Sequence, residues 1–80
     1  MKEIYIVHAD AYIGCVKPGK CPMVSYAPRE KFIDFVKGLR EDYPDFKLRC
    51  VVNEGIKELV LRKVRNDRAQ ILLVKGNRGR

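Results

Sequence analysis

The sequence has no tryptophan and no threonine, and serine and glutamine occur once each, at Ser25 and Gln70. Few labile polar residues beside abundant Lys, Arg, Glu, Ile and Val weakly resemble the bias of hyperthermophile proteins. No apolar run approaches the roughly 20 residues that a bilayer-crossing helix needs. Met1-Lys2-Glu3 leads straight into a strand-like run, without an apolar h-region or a cleavage pattern. The expected location is therefore cytoplasmic, with no membrane partner. Cysteine is scarce and odd in number (Cys15, Cys21 and Cys50), which argues against a secreted disulfide framework. A hyperthermophile cytosol is the setting in which a Cys15–Cys21 bridge would persist. Metal binding there would need two further ligands, with only Cys50 and the single histidine, His8, to supply them, so no metal site is expected. Internal repeats and low-complexity linkers are also missing, which leaves one small domain over residues 1–80.

What is present is a soluble-globule balance, 46% hydrophobic and 34% charged, with a net charge of +7. That charge is lopsided. Residues 1–46 hold seven Lys/Arg and seven Asp/Glu, whereas residues 47–80 hold ten and three and so supply all of it. Such asymmetry points to an anionic partner, a nucleotide or nucleic acid, or to a solvated charged surface.

Residues 3–8, Glu-Ile-Tyr-Ile-Val-His, read as a strand from their β-branched and aromatic content. A long segment, 9–27, follows, in which Lys17-Pro18-Gly19-Lys20 suits a type II turn. Tyr12 to Val16 and Met23 to Tyr26 are candidate arms of a hairpin over that turn. A regular pairing would set Val16 opposite Cys21 and leave Cys15 and Cys21 diagonal, so a bridge would need a bulge. Pro28 suits the start of a helix whose apolar face is Phe32, Phe35, Val36 and Leu39 at i, i+3, i+4, i+7, continued by Tyr43 and ended by Pro44. Phe46 to Val52 reads as the next strand, with Cys50 a small buried apolar residue in it. Ile56, Leu59, Val60 and Val64 fit a second helix behind an Asn53 cap, although 57–65 could instead pair with 70–75 as a C-terminal hairpin. The run Gln70-Ile71-Leu72-Leu73-Val74-Lys75 reads as a strand buried on both faces, leading into Gly76-Asn77-Arg78-Gly79-Arg80, with 77–80 a frayed tail.

These elements predict β-α-β-α-β, an α/β fold with a minimal three-stranded parallel sheet of order 2-1-3 and a helix on each face. The alternative is an α+β fold with the C-terminal hairpin. In the parallel sheet the carboxyl ends would gather His8 and Asp10, Asn53 and Glu54, and Gly76, Asn77 and Arg78 on one rim.

With the elements in this order, the chain resembles the latter part of the universal stress protein family. The features compared are the strand Ile4 to Asp10, a long variable loop, an amphipathic helix, and the strand ending in Val52-Asn53-Glu54-Gly55. The helix after Gly55 and the closing run Ala69 to Arg80 complete the comparison. The resemblance implies a flavodoxin-like domain and ATP or another nucleotide as ligand. Gly76 and Gly79 match the first glycine pair of that family's phosphate loop. The family's opening strand and the end of that loop have no counterpart in the sequence.

Three functional readings follow, with binding favoured over catalysis. In the first, an anionic ligand is held by backbone N–H groups of Gly76 and Gly79, by Asn77 and Arg78, and by Asp10 and Asn53. In the second, Arg62, Arg65 and Arg68 at i, i+3, i+6, extended by Lys75, Arg78 and Arg80, track nucleic-acid phosphates. Tyr12 and Tyr26 are candidate base stackers for that reading. In the third, an open sheet edge makes the domain a homodimer. His8 with Asp10 could form a base and its orienter, although a structural strand-end histidine is the commoner case.

Overall fold

The computed structural model describes the backbone over residues 3–78 and the side chains to residue 73. Three strands come first: β1 (Glu3–Ala9), β2 (Tyr12–Lys17) and β3 (Met23–Pro28). A single 3-10 turn, Arg29–Lys31, leads into α1 (Phe32–Asp42), followed by β4 (Lys47–Cys50) and α2 (Glu54–Arg78). The sheet has four strands in the order β3-β2-β1-β4, antiparallel except for the β1–β4 pair.

This corrects the predicted three-stranded parallel sheet of order 2-1-3. The α+β alternative fits the architecture, but without a C-terminal hairpin. Two local causes account for the difference. A two-residue turn at Asp10 and Ala11 sets Ala9 opposite Tyr12 and so adds β2 antiparallel to β1. Asp10 takes φ 56°, the left-handed conformation that Asp and Asn tolerate best after Gly. Between Gly55 and Gly76 no glycine or proline interrupts a run rich in Leu, Lys and Arg, so the helix carries on through 70–75. The apolar run taken for a buried strand is therefore helical. The expected hairpin over Pro18-Gly19 is present as the antiparallel pair β2 and β3, so segment 9–27 is not a long loop.

Side chains alternate between two cores. Ile4, Ile6, Ile13, Cys15 and Leu39 are buried on the α1 side, with Phe32, Phe35 and Val36 packed against them. The predicted face of α1 is thus the one that packs. On the other side Val7, Ala9, Val60 and Val64 are buried beneath α2, flanked by Tyr12, Val24, Tyr26 and Ile56. Each fully buried aliphatic side chain contributes roughly 1.5–3 kcal/mol.

Helix α2 begins where Asn53 caps it: the Ile56 N–H donates to Asn53 Oδ1 at 2.9 Å. Asn53→Ala should cost about 1 kcal/mol in thermal unfolding, and Asn53→Asp should be near neutral. Equal losses for the two would place the effect outside the cap.

The β2–β3 register pairs Val16 with Val24 and Lys17 with Met23, leaving 18–22 as the turn. Pro22 has no N–H to give a ladder, which moves the first pair out to Met23. Cys21 therefore lies exposed in the turn while Cys15 is buried, and the three thiols are free, with no Cys15–Cys21 bridge. Cys50 is exposed rather than buried, at the end of edge strand β4. Burial pushes the Cys15 thiol up to about 11. Native protein should therefore react with a thiol reagent at Cys21 and Cys50, and at Cys15 only on unfolding. Because the unfolded chain releases this proton first, stability should also fall as pH rises from the ordinary thiol value of 9.0 towards about 11. Peptide mapping of the labelled protein checks the first expectation, and rapid native labelling of Cys15 would contradict the burial.

Candidate functional site

Only part of the predicted rim is assembled. Strands β1 and β4 run parallel, so their carboxyl ends share one edge, joined by the Val51 N–H donating to the Ile6 carbonyl at 3.0 Å. A cleft of about 220 Å³ lies there, lined by Val7, His8, Asn53, Glu54 and Lys57 among others. Asn53 spends its side-chain oxygen on the helix cap, and the His8 ring stacks on Phe32 at 6.0 Å between centroids. Asp10 sits in the β1–β2 turn.

The glycine loop is not on this edge. Gly76, Asn77 and Arg78 belong to the last turn of α2, and Gly79 and Arg80 lie outside the described residues. At 1.5 Å per residue, Gly76 is about 35 Å along the helix from Asn53. The ligand set of Gly76, Asn77, Arg78, Asp10 and Asn53 therefore does not converge, because the strand expected to bring its two halves together is a helix. Among the described residues no cluster of His, Cys, Asp and Glu is arranged to hold a metal.

The basic set fares differently. Arg62, Arg65 and Arg68 are all exposed along α2, as is Lys63, while Val60 and Val64 turn into the core. Arg65 lies 3.6 Å from Glu58, both largely in water, and Lys63 lies 3.3 Å from Asp67. Exposed pairs of this kind hold their partners weakly, which leaves the cations available to an incoming anion. Among the described residues, neither Arg62 nor Arg68 forms an ion pair. Lys75 lies on the same helix, and Arg80 is outside the described residues.

Tyr12 and Tyr26 are not loop residues open for stacking. They stand on β2 and β3, meet edge to face at 5.6 Å, and pack under α2. Burial, then the neighbouring Asp67 carboxylate, raises the Tyr26 hydroxyl above its ordinary value.

A groove of about 320 Å³ between β3 and α2 escaped the sequence reading. Met23, Val24 and Leu59 form its apolar part, and Arg62, Lys63 and Asn66 its polar wall. Leu59, Arg62, Lys63 and Asn66 follow i, i+3, i+4, i+7, so the helix side was visible in the sequence. Its placement beside β3 depends on the antiparallel sheet. No helix among the described residues is long and apolar enough to cross a membrane. In comparisons with family models, curated proteins and solved structures, none matches this chain.

Proposed function

We propose that this domain binds nucleic acid along the exposed face of α2, with Arg62, Arg65 and Arg68 as the principal phosphate contacts and Lys63 beside them. The observation that carries the reading is the exposure of these four cations within two turns of a helix whose Val60 and Val64 side is anchored to the sheet. An anchored helix holds its charges in fixed positions, and repeating phosphates reward a dense set of fixed cations more than the same charges scattered over a surface. The uneven charge of the chain adds to this, since α2 lies wholly in the half that supplies the net +7. Backbone contacts of this kind give affinity without sequence preference.

Fluorescence anisotropy with a short labelled oligonucleotide tests the proposal. Binding should appear at low salt, weaken steeply as salt rises, and collapse in the Arg62→Ala/Arg65→Ala/Arg68→Ala variant. These positions are exposed, so the variant should keep its fold, which circular dichroism can verify. Binding unchanged in the triple variant, or no binding at low salt, would remove the reading.

A further inference from the structure

The groove between β3 and α2 sharpens the proposed function, and the inference rests on that reading. Its apolar part is uncovered: Met23 is 68% exposed and Leu59 42% exposed. The same hollow is walled by Arg62 and Lys63, with the Asn66 amide alongside. On its outer side runs β3, an edge strand that among the described residues pairs with β2 alone, so alternate backbone N–H and C=O groups face away from the ladder. Apolar contact surface and two cations therefore lie within one hollow, beside the edge strand that bounds it.

A duplex offers little to this combination. Its bases are stacked inside, and a protein that touches only the outside meets phosphates, which would use Arg62 and Lys63 but leave Met23 and Leu59 in water. An unpaired strand offers both chemistries at once. Its phosphates can lie along the cations while a splayed base lays its flat face on apolar side chains and presents its edge to polar groups. The thioether of Met23 is polarizable and conformationally adaptable, which suits contact with bases of different shape.

We infer that the groove formed by Met23, Leu59, Arg62, Lys63 and Asn66 is a single-strand site, so that the domain prefers unpaired nucleic acid to duplex. The preference should be roughly tenfold, at the low end of what stacking one base on an aromatic ring supplies, since Met23 and Leu59 are not aromatic.

The test compares a labelled single strand with the same strand annealed to its complement, for the native chain and for Met23→Ser/Leu59→Ser. Both substitutions are at exposed positions and leave charge unchanged. Support is tighter binding of the single strand by the native protein, with the advantage lost in the double variant, its salt dependence unaltered and its melting curve near native. Equal or stronger binding of the duplex by the native protein would overturn the inference while leaving the α2 reading in place. So would a single-strand advantage that survives the double substitution. Binding of neither form would remove both.

Discussion

Gly14→Val should lower the melting temperature by roughly 10–20 °C, corresponding to a loss of about 2–3 kcal/mol in a domain of this size. The residue lies in β2 on the side covered by α2. A Cβ placed there would be 2.6 Å from both methyl groups of Val60 and 2.9 Å from the Ser25 carbonyl oxygen. One of those neighbours is a side chain at 0% exposure, and the other is backbone of the paired strand β3. Neither can swing aside as an exposed side chain would. The clash must be relieved by lifting α2 from the sheet or by distorting the β2–β3 ladder, and either opens the core holding Val7, Ala9, Val60 and Val64. Gly14→Ala should show the same effect at smaller size. Adding Val60→Ala to it should restore part of the loss, but not the part due to the Ser25 carbonyl, and a double-mutant cycle measured by thermal melting isolates that coupling. A Gly14→Val protein that melts with the native one would mean that α2 does not rest on β2 as described.

For the proposed nucleic-acid interface, raising salt from ~50 to ~200 mM should weaken binding by about fiftyfold on a single strand and by about a hundredfold on duplex. The magnitude follows from the four cations Arg62, Lys63, Arg65 and Arg68. Each neutralised phosphate contributes about −0.9 to the log–log slope on duplex DNA and about −0.7 on a single strand, so four give slopes near −3.6 and about −2.8. Replacing the three arginines with alanine should bring the slope close to −1, and affinity should fall in parallel for every sequence tried. A triple variant that loses affinity while keeping the native slope would show that the arginines act through the fold rather than by direct charge contact.

Much of the scaffold was legible because it depends on short-range pattern. The apolar spacing of Phe32, Phe35, Val36 and Leu39 has no competing explanation, and α1 buries that side. Asn53 was readable as a cap because its side chain acts only three residues away. The Pro18-Gly19 turn marked the hairpin, although the missing N–H of Pro22 shifted its register. What failed depended on distant context. An apolar run such as 70–75 has no periodicity that separates a buried strand from a helix. The decision lay in the absence of any breaker after Gly55, which let α2 continue. That one assignment carried the glycine loop and the gathered rim with it. The helical placement of Arg62, Arg65 and Arg68 was legible because their spacing on a helix did not depend on which strands neighbour which. The groove could not be foreseen, because Met23 and Leu59 are brought together only by the antiparallel placement of β3.

Strand β4 reaches its neighbour differently from β2 and β3. It has four residues, pairs only with β1, and joins it across some forty intervening residues. Its side-chain tie to β1 is the Glu3 carboxylate, which accepts from the Tyr5 hydroxyl at 2.6 Å and lies 3.5 Å from Arg49. The three-strand meander can form from local contacts alone, whereas this seam must close over a long loop and so forms late. Amide exchange should therefore run faster at Lys47–Cys50 than in the β1–β2 pair, and because only three residues separate α2 from that strand, opening of β4 would free the root of the helix that carries the arginines.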